Sequence, residues 1–413
     1  MASQNPNPII VPVSKKARRH DIDNLRSFCT AHVIAHHTAI AYGGIDGAMP
    51  PHSALFDKAS PLFTPFIATN LAYGMGLYFW LSGKMTAQSL SRSKSDTAFI
   101  KSKLWRIGVP TLVYSAFIHP LQTVIEKPRK DFKSNIKAYF DEVRSLDGVK
   151  GPVWYNATLL VFDIAAVVLG RMLSAQGKAS RLSLLAKIYG PLARWGWLGV
   201  AGASFLLRTK LPPGKFMPVI GVQPAYLLQY IYAYCLGHVA FHLGKPRVPG
   251  PDWSVYKAFA VSLATLPLLF VPNFLKKKGE DGEEGAGGLE LGGWNWTAAI
   301  YAAWQEFSFV TIAPAVMAAF ERNYNHPAGA GIWSPRYSYA AFLLHPPVSW
   351  IADMGVTSLL CPGGERPAWM NSRVWQEFGP LLMTTVMSAV NIAGSFGLGR
   401  VVINYVPGVS SIL

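Results

Sequence analysis

The chain predicts an all-α fold, a polytopic bundle of about ten transmembrane helices, and three observations point there. First, 51% of its 413 residues are hydrophobic, 15% are charged, and mean hydropathy is +0.23. Ordinary soluble domains carry roughly a quarter charged residues. Second, apolar runs of membrane-crossing length recur along the sequence. Third, aromatics make up 13% of residues, with 13 Trp, and Trp and Tyr favour the membrane–water boundary.

The apolar windows fall near 25–43, 62–88, 105–125, 153–173, 187–207, 224–243, 256–275, 294–320, 336–357 and 377–405. In the fifth, Gly190-Pro191 and Arg194 interrupt the run, which predicts a broken or partly interfacial helix. An even number of spans puts both termini on one side. The basic cluster Lys15-Lys16-Arg18-Arg19 then argues for a cytosolic N-terminal tail over 1–19, ahead of a single membrane domain over 20–413. On that topology the loop from Lys127 to Lys150 is non-cytosolic, although it holds seven Lys or Arg. Lys276-Lys277-Lys278 and the Gly/Glu/Asp run behind it predict a flexible charged loop near 276–292.

The net charge of +16 would suggest nucleic acid in a soluble chain. Here the basic residues sit between apolar spans, so membrane lipid head groups or a phosphorylated substrate are expected, and nucleic acid is not. Cys29, Cys235 and Cys361 have no paired spacing, so no disulfide framework is expected. No hydrophobic core with a cleavage site precedes His20, so no signal peptide is expected. No internal repeat is evident, which weighs against a transporter of inverted halves. Oligomeric state is left open.

The first span is the most informative segment, because it carries Asp23, Arg26, His32, His36 and His37. Ionisable residues in a span are costly and face a protein interior or a cavity. Arg26 and His37 are eleven residues apart; eleven steps of ~100° end ~20° beyond three full turns, so both lie on one helix face, ~16 Å apart along the axis. That separation suits two parts of one long ligand, an anionic group at Arg26 and proton transfer at His37. The histidines also fit plain hydrogen bonding between helices. His32 and His36 are spaced i, i+4, but no carboxylate or cysteine accompanies them at ligand spacing, so no metal is expected.

The run Asp23-x-Leu25-Arg26, ten residues, then His37 resembles the signature of the membrane-bound acyltransferase-3 family. Later segments resemble further motifs of that family, in its order. They are Tyr78-Phe79-Trp80-Leu81-Ser82-Gly83, the basic run Lys101-Ser-Lys103-Leu-Trp-Arg106 leading to Pro110, Gly151-Pro-Val-Trp154-Tyr155, and Ser338-Tyr339-Ala-Ala-Phe342-Leu-Leu-His345-Pro346. Lys84 and Phe342 depart from the family pattern, which has aromatic and Tyr residues there. A soluble hydrolase-like domain is not expected, and a small hydrophobic acceptor is.

The resemblance implies an integral membrane O-acyltransferase that moves an acyl group, acetyl by default, from acyl-CoA to a hydroxyl of a small-molecule or glycan acceptor, without a permanently bound cofactor. His37 is then the general base, and Asp23 either orients a histidine or pairs with Arg26. Arg26, Arg106 and Lys103 are expected to seat the CoA phosphates, although interfacial anchoring is an equal reading for Lys101 and Lys103. His36, Trp154, Tyr155, Glu306 and His345 are expected on the cavity or acceptor. Glu306 and Asp163 lie inside spans and should line the cavity or pair with a base such as Arg194. His345 precedes Pro346-Pro347, where the helix should end or kink. Ser82 lacks a nucleophile-elbow pattern, so no acyl-enzyme is expected. The rival reading is a polytopic transporter whose buried histidines relay protons.

Overall fold

Helix is the local solution for each apolar window, since it satisfies the backbone within one segment. The computed structural model describes residues 18–43, 53–56, 60–126, 131–144, 148–174, 178–272, 289–329 and 331–412; among these no β-strand forms, only a parallel bridge between Gly148 and Val219. The basic residues Lys15 and Lys16 and positions 276–288 of the predicted charged loop lie outside the described residues.

Helix α1 is His20–Ala41 and α2 is Thr64–Arg92. The run 96–126, α3, alternates α-helical Asp96–Lys103, Val109–Val113 and His119–Glu126 with π turns Leu104–Gly108 and Tyr114–Ile118. Then follow α4 (Phe132–Arg144), α5 (Trp154–Ser174), α6 (Lys178–Arg208), α7 (Pro224–His242), α8 (Val255–Thr265, continued by the 3-10 turn Leu266–Phe270), α9 (Trp296–Asn323), α10 (Ser338–Leu360) and α11 (Arg373–Tyr405). Among the described residues, each expected window falls almost wholly on helix. By length and composition, Gly151–Arg171 and Arg373–Tyr405 are apolar enough to cross a membrane, with mean hydropathy of 1.7 and 1.5.

Three local expectations change. The loop expected over 127–150 contains α4: the Asp131 carboxylate accepts the Ser134 N–H at 2.8 Å and the Ser134 hydroxyl at 2.7 Å, an N-cap that starts a helix. Phe132, Ile136 and Phe140, spaced four apart, form one exposed apolar stripe of this helix. Next, α6 is not broken, because it runs through Pro191 without interruption. Finally, α10 does not end at Pro346 and Pro347 but continues through them to Leu360.

Helices α2, α7 and α9 form the centre, with α6 and α8 packed on it. Helix α1 lies between this centre and the α10–α11 hairpin. The α2–α7 contact is backbone to backbone: a Cβ on Gly83 would overlap the Tyr234 carbonyl oxygen, and one on Gly237 the Trp80 carbonyl oxygen. Small residues permit this approach, which matters where apolar surroundings leave van der Waals contact as the main attraction. Phe79 stacks on Tyr230 with ring centroids 4.8 Å apart, and Trp80 is fully buried.

The buried carboxylate of Asp163 on α5 ties four helices. It accepts the Thr86 hydroxyl at 2.6 Å and the Tyr234 hydroxyl at 2.8 Å, and pairs with Lys103 Nζ at 2.7 Å. Removing one partner of a buried pair strands the other charge. Asp163→Ala should therefore lower stability by about 3 kcal/mol, and Lys103→Met/Asp163→Leu should recover most of the loss. The check is the thermal midpoint of the purified protein in detergent; an unaltered midpoint for Asp163→Ala would refute the anchoring role.

Candidate active site

A cavity of about 800 Å³ opens among α1, α2, α3, α5, α7 and α10. His32, His36 and His37 line it from α1, Tyr155 from α5 and Phe342 from α10. Lys150 is the one lining residue among those described that carries a formal charge, and no carboxylate lines it. Such a wall suits a largely apolar ligand with a few polar groups.

The side-chain chemistry at His37 follows from a proline. In a helix the N–H of residue 346 would bond the carbonyl of residue 342, but Pro346 has none. The Phe342 carbonyl is instead the partner of His345 Nδ1 at 2.6 Å. A carbonyl only accepts, so His345 Nδ1 carries the proton, and its Nε2 is left as an acceptor. His345 Nε2 lies 3.3 Å from His37 Nδ1. His37 must then donate from Nδ1, which leaves the basic lone pair of its neutral ring on Nε2. One backbone carbonyl thus sets the tautomers of two histidines. His345 is buried behind His37 and does not itself line the cavity.

The aromatic wall is held in the same way. Tyr155 shares a 2.5 Å hydrogen bond with Ser82 and packs against Phe79 and Phe342, with centroids 5.0 and 5.9 Å away. Trp154 stacks on Tyr230 at 5.7 Å, and both line the cavity. Pro110 repeats the proline device. It frees the carbonyl of Arg106, which accepts the Tyr339 hydroxyl at 3.2 Å, while Asn156 donates to that hydroxyl at 3.1 Å.

The structure brings His36, His37, Trp154 and Tyr155 to the cavity and places the other expected site residues elsewhere. Asp23 does not pair with Arg26: it holds Arg18 at 2.8 Å, in the first turn of α1, where the helix dipole favours an acidic residue. Lys103 is committed to Asp163 instead of extending to the surface. Glu306 does not line the cavity; it is buried in the α9 interface, where Gln229 donates to it at 3.3 Å. Its nearby cation is Arg208, not Arg194, whose guanidinium lies over the Trp195 ring. Sequence reading did not single out Arg208, which is fully buried between the rings of Tyr226 and Tyr301 and donates to Gln305 and the Ala225 carbonyl. Arg26 is half-buried and makes no hydrogen bond or ion pair with a described residue. Arg106 is exposed in the first π turn of α3.

An all-helical bundle with a cavity and an oriented pair of histidines on its wall has the parts of a proton-transfer enzyme. Residues 19–400 match the model of the acyltransferase-3 family, described as an acyltransferase domain. The chain belongs to that family and is an acyltransferase. No curated protein and no solved structure matches it.

Two substitutions probe the histidine pair. His345→Ala should lower acyl-transfer turnover about 100-fold, and combining it with His37→Ala should cost little beyond His37→Ala alone, because the two act as a unit. Pro346→Ala returns an N–H to the Phe342 carbonyl and competes with His345 for it. Turnover should fall about ten-fold while the thermal midpoint rises, since a proline inside a helix is destabilising. Steady-state rates and melting curves of the two variants check this.

Proposed function

We propose that the protein is a multi-pass integral membrane O-acyltransferase that moves an acyl group, acetyl in the first instance, from acyl-CoA to a hydroxyl of an acceptor bound in the cavity. The observation that carries the reading is His37 on the cavity wall with His345 fixing its tautomer. The Nε2 of His37 removes the acceptor hydroxyl proton as the oxygen attacks the thioester carbonyl carbon. The tetrahedral intermediate collapses, the C–S bond breaks, and the imidazolium returns its proton to the departing thiolate. Ester and CoA thiol are the products. While His37 is charged, its Nδ1–H still points to a neutral acceptor on His345, which spreads the charge without a buried carboxylate.

For the donor, Arg26 and Arg106 are the assigned phosphate contacts. Arg26 lies ~16 Å from His37 along α1, a gap suited to an extended thioester arm. Its guanidinium is half-buried and unpaired among the described residues, which fits a cation kept for a ligand. Lys103 leaves this set because its charge is neutralised by Asp163. The N-terminus is assigned to the cytosol, so that Arg26 and Arg106 face the compartment that supplies acyl-CoA. The ten helical windows are assigned as spans, and the exposed stripe of α4 is assigned to the membrane surface.

Purified protein in proteoliposomes is the test. Acceptor-dependent release of CoA thiol from acetyl-CoA is expected, with Arg26→Ala raising the donor KM at least ten-fold and His37→Ala abolishing turnover. Substrate flux with no thiol release would sink the enzyme reading in favour of transport.

A further inference from the structure

The cavity wall around His37 holds two buried polar groups that the acyl-transfer chemistry does not use. Helices α1 and α2 run antiparallel: Thr30 meets Tyr78 at 2.9 Å, His32 Nε2 meets the Tyr73 hydroxyl at 3.3 Å, and Ile40 packs in one cluster with Ile67. One turn onward along α1 is one turn back along α2. His36 therefore lies level with Asn70, and both line the cavity. Both side chains are more than nine-tenths buried; the Asn70 amide interacts with His32, but neither its Nδ2 nor His36 Nδ1 has a hydrogen-bond partner among the described residues. A buried polar atom left unsatisfied is costly, and such atoms at a cavity mark a place for a ligand's own polar group. His36 is next to His37 in sequence, with ring centroids 6.0 Å apart, so an oxygen held there sits beside the hydroxyl that His37 activates.

Apart from His32, the rest of the lining from α1, α2 and α10 is apolar. Val33, Ile40, Leu71, Met75, Phe342 and Pro346 surround the two histidines. The charged side chain and the two other amides of the lining, Lys150, Gln122 and Gln223, come from the segment before α5, the end of α3 and the loop before α7. A sugar ring against this part of the wall would press several hydroxyls against aliphatic side chains that offer no partner. A flat apolar skeleton loses nothing there and gains stacking against Tyr155 and Phe342.

We propose that His36 and Asn70 form a positioning contact for the acceptor, holding an oxygen other than the one acylated, and that the acceptor is a lipophilic alcohol or phenol with a second oxygen adjacent to the reacting hydroxyl. Both atoms are closed off in the empty cavity, so a turn of the Asn70 amide presents a donor to that oxygen, and a turn of the His36 ring lets it donate or accept as its tautomer allows. This assignment rests on the acyl-transfer reading of the cavity and names the class of molecule that enters it.

Binding of three probes to the full-length protein in nanodiscs tests the assignment by calorimetry, with empty nanodiscs as the blank. The probes are 2-naphthol, 2,3-dihydroxynaphthalene, which adds only the neighbouring oxygen, and methyl β-glucoside. The wild type should bind the diol about ten-fold more tightly than 2-naphthol and should show no saturable binding of the glucoside. Asn70→Leu and His36→Leu should each bring the diol-to-naphthol ratio close to one while 2-naphthol affinity holds, which also reports an intact cavity. If Asn70→Leu fails to fold, Asn70→Ala replaces it in the same comparison. A diol preference that survives both substitutions, or a glucoside that binds more tightly than either naphthol, overturns the assignment. In turnover the variants should raise acceptor KM and spare kcat; the opposite split would make Asn70 a transition-state donor and also overturn it. The binding comparison uses no acyl donor and is repeated in His37→Ala protein, so failure of acyl transfer itself leaves its result readable.

Discussion

A polar group inside an apolar bundle must find its partner within the protein, and here a missing N–H starts the arrangement. Pro346 releases the Phe342 carbonyl from its helical hydrogen bond, and His345 Nδ1 takes the vacant place at 2.6 Å. From that contact the proton positions follow through His345 to His37 by donor and acceptor counting alone. The prolines of this chain are therefore constructive. Pro110 does the same for Arg106, whose freed carbonyl is met by Tyr339, and this contact ties the first π turn of α3 to α10 near the start of α5. π turns concentrate at functional sites because they re-aim side chains and carbonyls out of the regular helical ladder.

The same constraint explains how α1 keeps its polar residues. It lies between the α2–α7–α9 centre and the α10–α11 hairpin, so one side of the helix meets Tyr73 and Tyr78 and another meets His345 and Asn391. The aromatic-Leu-Ser-Gly segment of α2 acquires a physical meaning in this setting. Phe79 supports Tyr155 and Tyr230, Ser82 bonds the Tyr155 hydroxyl, and Gly83 lets α7 approach the backbone. Asp163 and Lys103 then pin α5 to α3 below the aromatic wall. The cavity is shaped by these contacts, and only its lining faces a ligand.

Some of the site was legible residue by residue. His37, Trp154, Tyr155 and His345 stand in motifs whose order along the chain gives them away, and the helical repeat puts Arg26 on the face of His37. Lys103, Asp23 and Glu306 were not legible, for one shared reason. A charged residue at or inside an apolar run has the same sequence appearance whether it reaches a ligand or a partner on another helix. Lys103 meets Asp163, sixty residues away, Asp23 turns back to Arg18, and Glu306 meets Gln229. Helix α4 was hidden by its charge: Lys133 and Lys137 suggest a loop, while the cap at Asp131 and the four-residue spacing of Phe132, Ile136 and Phe140 are short-range signals of a helix.

The sequence by itself determined the helical class, the positions of the apolar segments and the acyltransferase motifs, because hydropathy and helical periodicity are local properties written within twenty or thirty residues. Which polar atoms meet is a property of segments far apart in the chain, and only the tertiary structure decided it. His37 and His345 are separated by 308 residues, and their 3.3 Å contact exists because α1 is held against α10 at one register. A slip of one residue in either helix would turn its imidazole by ~100° away from the other and break this contact, so the packing selects the register and, with it, the candidate site.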